Sequence, residues 1–223
     1  MPVMHEAGLT AWEDGNSIGR MHARSGGGCL RTFWRRIPLR RPRLLRGAPV
    51  PTPLHARPIE TARLRLRPYE MRDAADWYRI QSTPEILEFL PWPKRSRRAS
   101  RRHLRHRTRH VELRFDGDFL AFAVTREGRL IGDVSMQLRG TTGAPYGVEV
   151  GWLLLPEFSG EGYAAEAAEA MLDAVFSELG AHWALAEIHP ENERSMRLAS
   201  RLGFAFVAAG PDGQHRLLRR PPS

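Results

Sequence analysis

The chain has a single cysteine in its 223 residues, Cys29, so no intramolecular disulfide can staple it. Sparse cysteine is compatible with a reducing cytoplasm, the expected location. No run approaches the roughly eighteen consecutive apolar residues of a membrane-spanning helix, and no membrane span is expected. The opening residues lack a basic region followed by an apolar core and a small-residue cleavage site, which makes them a poor secretory signal. Zinc-finger spacings and aromatic RNA-binding signatures are absent too, so no recognition motif marks a nucleic-acid module.

The net charge is +9, and its distribution says more than its total. Residues 1 to 57 carry ten arginines against Glu6, Glu13 and Asp14, a net of +7. Residues 94 to 110 carry nine Lys or Arg and no acid, another +9, which leaves the rest of the chain at −7. The pattern is an acidic body with two basic appendages. Such appendages attract nucleic acid, an anionic membrane or an acidic protein, but they also suit a merely solvated tail and surface helix.

The length supports one good core, hence one domain. Residues 1 to 56 show no sustained periodicity. They hold Ser25-Gly26-Gly27-Gly28, a basic run from Arg35 to Arg46 and the Pro-rich Pro49 to Pro53, a composition expected of a flexible extension. Leu30, Phe33, Trp34 and Ile37 form a short amphipathic segment within it.

Folded patterning is expected from residue 57 to 223. Leu64 and Leu66 alternate with Arg63, Arg65 and Arg67 as in a strand with one wet face. Asp73 and Asp76 suit the capped start of a helix carrying Trp77, Tyr78 and Ile80. Leu90-Pro91-Trp92-Pro93 must be a loop. A thin apolar stripe predicts a helix over 95 to 113. Strands are expected at 118–125, 130–138 and 146–155, the last with Val148, Val150, Trp152 and Leu154 on one side and Glu149, Gly151, Leu153 and Leu155 on the other. The clearest helical period runs from 162 to 179, stopped by Gly180. A strand at 183–188, a helix at 193–202 and strands at 204–208 and 214–219 complete a mixed α/β, α+β-like arrangement, a largely covered mixed sheet.

The most informative peptide is Ser159-Gly160-Glu161-Gly162-Tyr163-Ala164, between a strand and the long helix. Its glycines permit a tight turn and close backbone approach, and the first helical turn offers unpaired N–H groups to a pyrophosphate. The same peptide also suits a plain strand-to-helix turn. A P-loop is excluded because no Gly-Lys-Ser/Thr follows, and the full dinucleotide-binding pattern is missing. Downstream, Asn192-Glu193-Arg194-Ser195 starts a second helix that Gly203 can end, and Asn192 can cap it on the Ser195 amide.

Residues 59 to 219 resemble the GNAT acyltransferase superfamily, particularly its branch of ribosomal-protein N-terminal acetyltransferases. The likeness lies in Ile59 to Pro68, in Leu130-Ile131-Gly132-Asp133-Val134, in Glu149 to Glu157 and in Gly160 to Ala167, joined by Asn192 to Ser195 and Leu202-Gly203-Phe204. Ser159 departs from the Arg, Gln or Trp that usually opens the family's pyrophosphate loop. The resemblance implies a central twisted mixed sheet covered by helices, with a splayed strand pair beneath the thioester. It also implies direct transfer of an acetyl group from acetyl-CoA to an amine on a small molecule or a protein N-terminus, without a metal.

On that resemblance, the backbone of Trp152, Leu153 and Leu154 and the loop from Ser159, Gly160, Glu161 and Gly162 to Tyr163 and Ala164 bind coenzyme A, together with Asn192 and Ser195. Glu149 is the candidate proton acceptor, and Ser195 the candidate acid toward the departing thiolate. The helix at 193–202 lacks the tyrosine many relatives use. Phe89 and Trp92 are candidate acceptor walls, or core residues, and His189 can face the acceptor. If the Arg-rich helix flanks the same groove, it favours an acidic or ribosomal acceptor. His103, His106 and His110 share a helix face but sit among arginines, and no metal site is expected there. A compact transferase is compatible with a homodimer, though no interface pattern marks one. Two other readings remain: a coenzyme A-binding module without turnover, and a ribosome- or nucleic-acid-associated protein using its basic segments.

Overall fold

The computed structural model describes residues 48–90, 92–141, 145–210 and 213–222. Cys29 and the amphipathic segment Leu30 to Ile37 lie outside them.

Among the described residues, ten strands and five α-helices follow in the order β1 (Leu54–His55), β2 (Ile59–Glu60), β3 (Arg65–Pro68), α1 (Ala74–Ile80), α2 (Pro84–Leu87), α3 (Arg97–Arg107), β4 (Glu112–Leu113), β5 (Phe119–Arg126), β6 (Arg129–Arg139), β7 (Gly147–Leu154), α4 (Tyr163–Asp173), β8 (Ala184–Ile188), α5 (Glu193–Arg201), β9 (Ala205–Ala209) and β10 (His215–Arg219). Eight strands form one sheet in the order β2-β3-β5-β6-β7-β8-β10-β9, and β1 pairs β4 separately. All neighbours run antiparallel except β7 and β8, which are parallel. The mixed sheet is therefore the expected fold class.

Side-chain alternation divides the core in two. Val134, Met136, Leu138, Val148 and Val150 meet Ala167, Ala168 and Met171 of α4 and Leu198 of α5 in one apolar cluster. A second cluster joins Ala121, Ala123 and Leu155 to Trp77 and Ile80 of α1 and Leu104 of α3. Each fully buried Leu or Ile contributes on the order of 1.5–3 kcal/mol through removal from water, so both layers hold the sheet.

Beneath α1 and α3 lies a buried polar knot. Tyr69 donates its hydroxyl to Asp133 Oδ2 at 2.8 Å, and the Arg107 guanidinium pairs with the same carboxylate. Arg107 also lies over the rings of Trp77 and Tyr69, 4.5 and 5.0 Å from their centroids. Burial pushes the Asp133 carboxyl up against the opposing pull of Arg107. Burial, reinforced by Arg107 and Arg95, pushes His103 down to about 2, so its Nδ1 accepts the Trp77 indole N–H at 3.3 Å. His106 and His110 bond each other instead, ring to ring at 3.0 Å.

Several expectations are corrected. The folded body starts before residue 57: Val50 and Leu54 are core residues, and the Val50 amide bonds the Arg114 carbonyl at 2.8 Å. Asp73 does not cap α1; its carboxylate grips Arg67 at 2.6 and 2.8 Å and the Glu70 amide at 2.8 Å. The helix expected over 95–113 ends at Arg107, because the chain then extends into β4. The helix expected to reach 179 is α-helical only to Asp173 and continues as a π-turn over Ala174–Glu178, before Gly180 turns the chain at φ +71°.

Candidate active site

β7 carries the site because its two neighbours leave it at different points. It pairs with β6 from Gly147 to Leu154, but with β8 only from Val148 to Val150. Beyond Ile188, Pro190 has no N–H with which to continue a ladder. The Val148 amide points toward β8, bonding the Trp183 carbonyl at 3.1 Å, whereas the Leu155 amide points the other way, to Ile131 at 2.8 Å. Alternation therefore turns the backbone N–H and C=O groups of Trp152 and Leu154 into the gap. This parting is the splayed pair implied by the resemblance.

A cavity of about 1060 Å³ occupies the opening. Trp152, Leu153 and Leu154 line its floor; Ser159, Gly160, Gly162, Tyr163 and Ala164 line one wall, and Asn192, Ser195 and Leu198 another. Of the candidate donor-binding residues, only Glu161 is outside the lining, its side chain turned to solvent.

The loop before α4 follows from two left-handed glycines, Gly160 at φ +94° and Gly162 at φ +81°. Gly162 is the N-cap residue, and no side chain caps this helix end. The first helical bond runs from the Glu166 amide to the Gly162 carbonyl at 3.0 Å, so the amides of 163–165 stand ahead of it. With the helix dipole they form a site suited to a phosphate. A Cβ at Gly160 would meet nothing within 4 Å; one at Gly162 would stand 3.5 Å from Arg63 Nη2.

Arg63 is the residue sequence reasoning missed. Its Nη1 donates to the Glu161 carbonyl at 2.9 Å, its Nε to Glu166 Oε2 at 2.7 Å, and its guanidinium covers the Tyr163 ring at 4.6 Å. Thr61 adds a hydroxyl to Glu166 Oε1 at 2.6 Å. Burial alone would raise the Glu166 carboxyl, but Thr61 and Arg63 hold it below its usual range. The β2–β3 turn thus fixes the loop that opens α4. The alternation of Arg63 with Leu64 signals only a wet strand face; its partner lies 103 residues away.

On the second wall, Asn192 Oδ1 accepts the Ser195 amide at 3.1 Å, the expected cap of α5. Arg194, Arg197 and Arg201 line the same wall; Arg197 is paired with Glu193 at 2.9 Å, whereas Arg194 and Arg201 have no ion-pair partner among the described residues.

Opposite them, Glu85, Glu88, Phe89 and Leu90 border the cavity. No residue of α3 lines it, so the conditional expectation that the Arg-rich helix selects an acidic acceptor loses its premise. Glu85 and Glu88 are exposed and have no ion-pair partner among the described residues. His189 does not line the cavity; its ring lies tilted at 37° to Phe89, centroids 5.5 Å apart, and its Nδ1 accepts the Glu191 amide at 3.3 Å. Trp92 is corrected from wall to core: it is 7% exposed and packs edge-on against Trp77 at 5.7 Å.

Glu149 lies two residues before the gap, on the sheet face opposite Val148 and Val150, and is 6% exposed. Arg139 donates to its Oε2 from Nε at 2.9 Å and Nη2 at 2.6 Å. Burial pushes its carboxyl up to about 7, with Arg139 opposing the rise. Glu149 is not among the cavity-lining residues, whereas Ser195 is.

Among the described residues, no helix is long and apolar enough to cross a membrane. Residues 63–205 match the family model described as an acetyltransferase (GNAT) domain. The uncharacterized N-acetyltransferase YnaD of Bacillus subtilis (strain 168) is 26% identical over 146 residues, 66% of this chain and 81% of that protein. A putative ribosomal-protein-serine acetyltransferase from Vibrio cholerae superposes with a TM-score of 0.62 at 19% identity, over 75% of this chain and 99% of the other. RimJ of Mycobacterium smegmatis in complex with CoA-disulfide gives 0.57 at 24% identity, over 77% and 88%. With the family match spanning most of the chain, and the parted strands and glycine-opened helix of the fold beneath it, the chain belongs to the GNAT acetyltransferase family.

Proposed function

We propose that this protein transfers an acetyl group from acetyl-CoA to a primary amine that carries positive charge in solution, a small molecule or a protein N-terminus. The parting of β7 from β8 beside the uncapped start of α4 carries the reading, since it brings free backbone polar groups and a phosphate-type helix end to one cavity.

The donor supplies the thioester. The amides of 163–165 and the loop from Ser159 to Gly162 hold its pyrophosphate, with Arg63 keeping the loop in shape. The inward-turned backbone of Trp152 and Leu154 receives the pantetheine amides and orients the acyl carbonyl. Asn192 and Ser195 flank the arm from the other wall.

The acceptor enters past Glu85, Glu88 and Phe89. Unpaired carboxylates at this mouth favour a cationic amine and disfavour an acidic one. The amine must lose a proton to attack. Glu149 accepts it through intervening water, since its carboxylate stands outside the cavity lining, and its position near neutrality suits the task. Ser195 can return a proton to the leaving sulfur.

A coenzyme A-binding module without turnover is the competing reading. It is favoured by the Arg139 clamp on Glu149 and by the absence of tyrosine from α5. One experiment separates them: acetyl-CoA incubated with amines, peptides and protein N-termini, read by free thiol release and intact product mass. Transfer predicts acceptor-dependent thiol and a matching acetylated product. Coenzyme A binding with no acceptor-dependent thiol across the panel supports the module.

A further inference from the structure

We infer that the outer face of α3 is a docking surface for the phosphate backbone of double-helical nucleic acid. Arg97, Arg98, Arg101, Arg102 and Arg105 are all exposed on this helix. At about 100° per residue they fall within one arc of about 140°. Arg109 continues the stripe just past the helix end.

The surface is unneutralised from within. Residues 94 to 110 contain no acid. Among the described residues, Arg98, Arg101, Arg102 and Arg105 have no ion-pair partner, and Arg97 meets only the Tyr78 ring, at 4.8 Å. Several arginines elsewhere differ, with Arg65, Arg114 and Arg216 each paired to a carboxylate within 3.0 Å, and Arg57, Arg129 and Arg220, unpaired among the described residues, are not gathered on one helix face. The helix also holds its charge against its own interest. Arg97–Arg101, Arg98–Arg102 and Arg101–Arg105 are like-charge pairs four apart, and two arginines occupy the first turn, where the helix dipole favours an anion. What keeps the helix in place is its other face, with Leu104 and Ser100 buried and Arg107 paired to Asp133.

The composition of the face selects the partner. It offers guanidinium forks, which match phosphate oxygens two at a time. No exposed Leu, Val, Phe or Trp accompanies the arginines within 97–107, and the exposed Val111 lies past the helix end, so the helix face itself offers a protein partner no apolar anchor. No exposed aromatic is available there for stacking unpaired bases, which disfavours single strands. A rigid, wholly cationic ridge about 16 Å long fits a duplex backbone and reads no sequence.

The test uses the full chain and a DNA duplex of about 24 base pairs of mixed sequence, with affinity measured across a salt series. The Arg98→Glu/Arg101→Glu/Arg105→Glu variant should lose at least about tenfold in affinity near 0.1 M salt and flatten the log–log salt slope by about 3. An Arg57→Glu/Arg129→Glu/Arg220→Glu variant with the same net charge change should lose much less. Unaltered coenzyme A affinity and melting in the α3 variant establish that it is folded, because none of its three positions lines the cavity. The inference is overturned if the α3 variant keeps the wild-type affinity and slope, if the control variant loses as much, or if poly-glutamate of matched charge binds the wild type as tightly as the duplex.

Discussion

Two helix starts face the same cavity and are built in opposite ways. α4 begins at a left-handed glycine with no side-chain cap, while α5 begins at Asn192, whose Oδ1 already accepts the Ser195 amide. A helix end without an internal acceptor keeps its first-turn amides for a ligand; one with a cap has used part of its capacity on itself. The donor's charged groups should therefore depend on the backbone of α4, and α5 should contribute mainly shape, its arginines and stability. Neither end supplies a base, and the proposed mechanism assigns proton removal to Glu149 of β7.

That division can be broken at graded positions. The largest effect belongs to β7: Glu149→Gln should lower kcat by about 10²–10⁴ while leaving coenzyme A affinity unchanged in equilibrium titration. In the wild type, kcat/KM should rise as pH increases through about 7, because the carboxylate form accepts the proton, and this limb should vanish in the variant. Arg139→Gln should move the same limb to higher pH, because Arg139 opposes the upward push of burial on Glu149. Ser195→Ala keeps the backbone amide and hence the cap, so melting should stay within about 0.5 kcal/mol of wild type. A fall in kcat with unchanged donor affinity would then assign Ser195 to the chemistry. At the cap the smallest effect on turnover is expected, with a cost in stability instead: Asn192→Ala should lose ~1 kcal/mol, a drop in Tm of about 2–4 °C, and Asn192→Asp should restore it.

The local patterns proved the most readable. β5, β6 and β7, with their alternating faces, and the start of α4 are all visible as periodicity broken by glycine or proline, because strand pleat and helix pitch write themselves into neighbouring residues. Long-range contacts left no such mark. Arg63 reads as one more arginine on a wet strand, yet it braces the loop of α4 through Glu161 and Glu166. Asp73 reads as a helix cap, but the buried Arg67 guanidinium is a stronger partner than a backbone amide. Trp92 reads equally as wall or core, and the Trp77 ring decides for core. The acidity of the cavity border at Glu85 and Glu88 was hidden behind the much louder charge of α3, which the tertiary structure keeps out of the cavity.

The division between the two helix starts is tested most directly by titrating coenzyme A into Gly162→Ala beside Gly203→Ala. Both glycines are left-handed, at φ +81° and φ +78°, but only Gly162 lines the cavity, whereas a Cβ at Gly203 meets nothing within 4 Å. Each substitution should cost a similar 1–2 kcal/mol or so of backbone strain. Gly162→Ala should weaken coenzyme A binding by about tenfold or more, and Gly203→Ala should leave it unchanged. Equal coenzyme A affinity in the two variants would contradict a donor held on the uncapped start of α4.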